Sequence, residues 1–332
     1  MISFLKLIRF PNLIIIALTQ YAMRWGIISP MLKRINIELV KAYPQITNPN
    51  ALVLQISELN FFLIVLSTVM IAAAGYIIND YFDVRLDRIN KPQLVIIDTR
   101  ISRRFAMAAH IILNLMGILI GTYVSYQLGI WKMSVIFPLC AGALWFYSTN
   151  FKRQLITGNL LVAFLSALVP LLAGGSEMAL VITKYKFVNN ELGVNLNNIS
   201  YFIIGFAFFA FLITLIREIV KDIEDSEGDK EYGCDTIPIE WGIKTAKYIA
   251  ISICVVTVIC VARLQYSQFI GDAILSFYYM FIFIQLPLLF IIFQIFKSNE
   301  PKDFHLPSQL IKLLMLLGIL YSIVIYLSFS VS

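Results

Sequence analysis

Nine times along its 332 residues the chain runs apolar for roughly twenty positions. The runs lie near 8–29, 59–80, 103–126, 130–148, 157–181, 200–220, 245–264, 272–296 and 308–330. As helices of about 20 residues, each matches the ~30 Å hydrocarbon core of a bilayer. In lipid every peptide group must find its partner within its own segment, so repeated runs of this length can only be helices. The sequence predicts an all-α fold, a polytopic membrane bundle of about nine transmembrane helices in a single domain over residues 1–332. Two stretches are too polar to span. These are 30–58, with Pro30, Pro44 and Pro49, and the asparagine-rich 182–199. Both read as extramembrane loops, the first with room for an interfacial helix.

Composition agrees: 59% of residues are hydrophobic and only 14% charged, with a mean hydropathy of +0.82. That balance excludes a soluble globular domain. The net charge of +6 does not point to nucleic acid, because Lys and Arg cluster at the ends of apolar runs, where anionic membrane lipids attract them. Of 26 Lys and Arg, 18 fall on one side when the N-terminus is placed inside. The bias predicts a cytoplasmic N-terminus. Lys6 and Arg9 precede the first run with no small-residue cleavage site, so that run reads as a retained span. The four cysteines form no close pair and read as small buried hydrophobes. His110 and His305 lack neighbouring ligands, which argues against zinc.

Against this apolar background two acidic stretches stand out. Asn79-Asp80-x-x-Asp83-x-x-x-Asp87 follows the second run, and Asp222-x-x-Asp225-x-x-x-Asp229 follows the sixth. Positions i, i+3 and i+7 of a helix fall within roughly 60° of one another, so each stretch presents a stripe of carboxylates on one face. Four spans separate them, which places both at the same membrane face. Asp83 and Asp225 are 142 residues apart, the mark of a parallel internal repeat. Carboxylate and amide oxygens are hard ligands suited to Mg²⁺, which keeps waters and takes phosphate oxygens. Two facing stripes in a central cavity could bind two such ions and clamp a diphosphate. A diphosphate at the mouth of an apolar bundle implies a lipid-like tail between the helices. The chemistry that fits is ionisation of a prenyl diphosphate and capture of the cation by an acceptor, with water excluded.

These two motifs resemble the paired signatures of the UbiA superfamily of membrane prenyltransferases. Arg9-Phe10-Pro11-Asn12, Tyr147-Ser148-Thr149-Asn150-Phe151-Lys152-Arg153, Gly158-Asn159 and Thr236-Ile237-Pro238 are similar too, in matching order over essentially the whole chain. The resemblance implies that Asn79, Asp83 and Asp87 hold one Mg²⁺. Asp225 and Asp229 would hold another, with Asp222 and Glu224 as supporting acids. It implies that Lys152, Arg153 and Lys221 face diphosphate oxygens, that Tyr147 lies near the reacting carbon, and that Arg9, Asn12 and Asp80 help hold substrates at the polar mouth. The pattern is most similar to the branch of geranylgeranylglycerol-phosphate geranylgeranyltransferases, which implies a geranylgeranyl donor and a lipid-type acceptor, geranylgeranylglyceryl phosphate. It further implies an integral protein of a bacterial or archaeal cytoplasmic membrane, with its active site on the cytoplasmic side. Gln93-Leu94-Val95-Ile96-Ile97-Asp98 departs from the family's basic, proline-rich turn after Asn90-Lys91-Pro92. Prenylation of an aromatic acceptor therefore stays open. CDP-alcohol phosphotransfer fits less well, because its acids form one contiguous motif. A cation-coupled transporter fits less well too, since such sites lie near the bilayer midplane.

Overall fold

The computed structural model describes residues 2–43, 52–90, 95–186, 195–231 and 233–330; the side chains of Arg85, Leu86, Asp87, Ile89, Asn90 and Ser330 lie outside that description. The chain order is α1 (Ile2–Leu7), α2 (Phe10–Ala42), α3 (Glu58–Asn90), α4 (Arg103–Gln127), α5 (Ile136–Thr149) and α6 (Thr157–Lys184). It continues with α7 (Asn197–Glu231), α8 (Ile237–Glu240), α9 (Ile243–Ile270), α10 (Ile274–Lys297) and α11 (His305–Ser330).

Among the described residues, eight helices are long and apolar enough to cross a membrane. They correspond to eight of the nine expected runs. The remaining one, 130–148, folds as a 3-10 turn (Trp131–Val135) followed by the 14-residue α5. At about 2.0 Å per residue in the 3-10 turn and 1.5 Å in α5, the two together run about 31 Å, enough for a crossing that ends near Tyr147 beside the acid stripes. The polar stretch from 30 also differs from a loop. Pro30, which has no N–H to donate, stands where α2 changes hydrogen-bond register, and the helix continues through Ser29–Ala42. A π-helical turn at Ala22–Ile28 joins the two parts of α2.

α3 packs against α4 and α5 in the first half of the chain, and α7 against α6, α9 and α11 in the second, with α2 touching α3 and α6. Buried apolar side chains form one large cluster over the second half and two smaller ones over the first. The π turn aims Arg24 into the bundle, where it is 2% exposed. There it donates to Glu177 Oε2 at 2.5 Å, to the Ile56 carbonyl at 2.6 Å and to Glu58 Oε1 at 2.7 Å, with Phe61 under its guanidinium. Glu177 also accepts from the backbone N–H groups of Gln55 and Ile56. Glu58 opens α3 and Asp83 lies 25 residues on, about 38 Å along a straight helix. This lock therefore closes the end of the bundle opposite the acid stripes.

Candidate active site

At the acidic end the helices leave a cavity of about 750 Å³. From the N-terminal segment it takes Arg9 and Asn12, and from α3 it takes Asn79, Asp80 and Asp83. Tyr147 on α5 and the turn residues Lys152 and Arg153 line it too, as do Lys221, Asp222, Asp225 and Asp229 on α7. The site residues expected from the sequence are gathered here except two: Glu224, and Asp87, whose side chain lies outside the described residues. Glu224, expected as a supporting acid, turns instead toward α11 and pairs with His305 Nδ1 at 2.7 Å.

Local chemistry fixes each wall. Arg9 sits between α1 and α2 in the left-handed region (φ 48°, ψ 53°), a conformation costing a non-glycine residue roughly 1–2 kcal/mol. Its guanidinium bonds Asp80 Oδ1 at 2.8 Å and lies 5.1 Å from the Tyr76 ring. Burial disfavours that charge, but Asp80 and then Tyr76 outweigh it and hold Arg9 above its usual value. One turn along α3, Asn79 Nδ2 donates to Asp83 Oδ2 at 2.8 Å. Asp83, 8% exposed, also takes an ion pair from Lys152.

Lys152 is held in place by its neighbours. A Cβ at Gly158 would stand 2.7 Å from the Phe151 carbonyl oxygen and 3.1 Å from Lys152 Cα, so glycine lets the 151–153 turn rest directly on the start of α6. From the other side the Asp235 N–H donates to the Arg153 carbonyl at 2.8 Å. Asn159, next on α6, donates to Asp222 Oδ2 at 2.8 Å and orients the second stripe.

Among the cavity residues that the sequence reading did not assign to the site, two stand out. Glu218 extends the second stripe one turn inward: Glu218, Asp222, Asp225 and Asp229 share one helical face within roughly 60°. Its i−4 spacing from Asp222 was the available signal. It is 7% exposed and pairs with Arg217 Nη1 at 2.6 Å. At the offset of 142 that relates Asp83 to Asp225, its counterpart is Tyr76, which Arg9 covers. The other is Cys234, 5% exposed on the cavity wall. Burial, followed by Asp229, pushes its thiol up from the usual cysteine value.

The donor set of Asn79, Asp83, Asp225 and Asp229 is all hard oxygen and fits Mg²⁺. Among the described residues no three acids, histidines or cysteines converge into a closed cage. Mg²⁺ keeps waters and draws further ligands from substrate phosphate, so it needs only a few protein oxygens. Lys152, Arg153 and Lys221 beside these acids supply the cations that polyanionic phosphate oxygens require.

Comparison with known proteins bears on the whole arrangement. The profile described as the UbiA prenyltransferase family matches residues 51–325. A digeranylgeranylglyceryl phosphate synthase of Methanosphaera stadtmanae is 34% identical over 247 residues, covering 74% of this chain and 80% of that protein. A solved structure concerning digeranylgeranylglyceryl phosphate synthase in membranes shares the fold with a TM-score of 0.60 at 23% identity, over 97% of this chain and 98% of that one. A UbiA homologue from Archaeoglobus fulgidus bound to DMAPP and Mg²⁺ does so at 0.58 and 17%, over 99% and 100%. Bundle, acid-lined cavity and family profile agree, and the chain belongs to the UbiA prenyltransferase family, an integral membrane prenyltransferase.

Proposed function

We propose that the protein transfers a geranylgeranyl group from its diphosphate to the hydroxyl of geranylgeranylglyceryl phosphate, with Mg²⁺ as cofactor, at the cytoplasmic face of the membrane. One observation carries the reading: α3 and α7 bring both acid stripes, with Lys152 and Arg153 between them, to a single cavity. The named activity of the Methanosphaera relative supports the acceptor, and the ligands of the Archaeoglobus homologue support a prenyl diphosphate with Mg²⁺. The excess of Lys and Arg on one side supports the orientation.

Asn79 and Asp83, with Asp87, would hold one ion, and Asp225 and Asp229 the other. When bound, Mg²⁺ supplies neutralisation of the charge that gathers on departing diphosphate. Lys152 and Arg153, fixed by the Gly158 contact and the Asp235 bond, meet the same oxygens as charged hydrogen-bond donors. Arg9 and Asn12 hold the polar rim. Tyr147 lies further in, against the reacting carbon. The apolar bundle excludes water that would quench the cation. The donor's C1–O bond breaks with its electron pair leaving on diphosphate, the acceptor oxygen bonds to C1, and one proton is released.

The test is turnover by detergent-purified protein with geranylgeranyl diphosphate and Mg²⁺, read by mass spectrometry. The acceptors are geranylgeranylglyceryl phosphate, glycerol phosphate, 4-hydroxybenzoate, homogentisate and a dihydroxynaphthoate. A digeranylgeranylglyceryl phosphate product is expected. A prenylated ring alone would overturn the acceptor while leaving the donor site.

A further inference from the structure

Metal and diphosphate make competing claims around a single oxygen. Asp83 belongs to the metal donor set and Lys152 to the diphosphate contacts, yet Lys152 Nζ is ion-paired with Asp83 Oδ2. The same Oδ2 accepts from Asn79 Nδ2 at 2.8 Å. Two donors fill its two lone-pair sites. A divalent cation on Asp83 must therefore displace a donor or settle on Oδ1, a carboxylate's width from an ammonium. Repulsion between the two cations opposes the second course. The Lys152 charge also acts on Asp229, so it serves the α7 stripe as well as the α3 stripe.

A carboxylate as buried as Asp83 needs a counter-ion, and Lys152 is the one it has. The backbone of Lys152 is pinned by the Gly158 packing and by the Asp235 bond to the neighbouring carbonyl. Its freedom lies in the side chain, a flexible four-carbon stem with a compact ammonium that carries three donors. That side chain is 25% exposed toward the cavity, so the ammonium can exchange one oxygen for another without any shift of the turn. Building on the function proposed above, we infer that Lys152 is an exchangeable counter-ion. It holds Asp83 until a divalent cation takes the carboxylate, and then passes to the diphosphate oxygens. One side chain thus weakens the binding of metal alone and strengthens the binding of diphosphate once metal is present. The exchange couples the two ligands, so that the site takes them up together and does not store metal between turnovers. Lys221 supplies the contrast: it lines the same cavity, but its charge acts on Asp222 and Asp229.

The experiment follows Mn²⁺ binding to the detergent-purified full chain by electron paramagnetic resonance, with no diphosphate added. Binding of inorganic pyrophosphate is then measured by calorimetry with Mg²⁺ in excess. Lys152→Met is expected to bind Mn²⁺ about tenfold tighter than the native chain and pyrophosphate about tenfold more weakly, one charge-assisted contact in each direction. Damage to the fold would weaken both. Lys221→Met removes an equal charge from the same cavity and should change Mn²⁺ affinity by less than about threefold. Lys152→Gln, neutral and still able to donate, repeats the measurement if Lys152→Met fails to fold. Unchanged or weaker Mn²⁺ binding in the Lys152 variant would overturn the exchange, and so would an equal gain in Lys221→Met. A native chain that binds neither Mn²⁺ nor pyrophosphate with Mg²⁺ would overturn the proposed function together with the exchange. Native binding of both, with the Lys152 variant moving the two affinities in the same direction, would overturn the exchange alone.

Discussion

Asn159 Nδ2 stands 2.8 Å from Asp222 Oδ2, joining the first turn of α6 to the middle of the second acid stripe. Asn159→Leu keeps much of the volume and removes the donor. It should lower kcat/KM about 10-fold or more, while thermal stability falls by no more than about 1–3 kcal/mol. Product formation and unfolding of the detergent-solubilised protein check both halves.

The two stripes act together in the proposed clamp, so neither suffices alone. Asp83→Asn and Asp225→Asn should each cost at least about 10³-fold in turnover and leave the elution of the folded protein unchanged. Excess chelator should silence the native enzyme, and added Mg²⁺ should restore it. A rate that survives chelation would refute the metal role.

Gly158 separates placement of Lys152 from its chemistry. In Gly158→Ala the new Cβ meets a backbone carbonyl, not a flexible side chain, so the 151–153 turn must move. Donor KM should rise about 10-fold, and added salt should not restore it, since the charges are all still present.

At the far end, Glu177→Gln would leave the buried Arg24 guanidinium with Glu58, an exposed carboxylate, as its remaining charged partner. A loss of about 1–3 kcal/mol in stability is expected. The double change Arg24→Met with Glu177→Met should recover much of it. Denaturation midpoints test this, and substrate KM should not follow them.

Cys234 reports on the cavity by its acidity. Because the folded site raises the thiol pKa, thiolate is scarce near neutral pH and grows only as pH climbs past the usual cysteine value. In a chain whose other cysteines are alanine, maleimide labelling should be slow at pH 7. It should still be accelerating where a free thiol has levelled off. Prenyl diphosphate with Mg²⁺ should slow it further.

The stripes were legible because acids at helical spacing contrast sharply with the apolar runs before them. Glu218 was not, because a single carboxylate inside a run barely lowers its hydropathy. Arg24 and Glu177 are 153 residues apart, and only packing of α2 against α6 reveals them as partners. The helix over 29–42 was hidden by Pro30 and its charged neighbours, which read as a loop until the π turn is known to carry α2 through. Cys234 read as one more small buried hydrophobe, because nothing in the local sequence shows that the chain after α7 folds back onto the site.

Tyr76 and Glu218 occupy matching places in the two halves, yet one is a phenol capped by Arg9 and the other an acid open to the cavity. With Asn79 set against Lys221 at the same offset, the two halves are chemically unequal walls: a phenol and guanidinium on the α3 side, a carboxylate and ammonium on the α7 side.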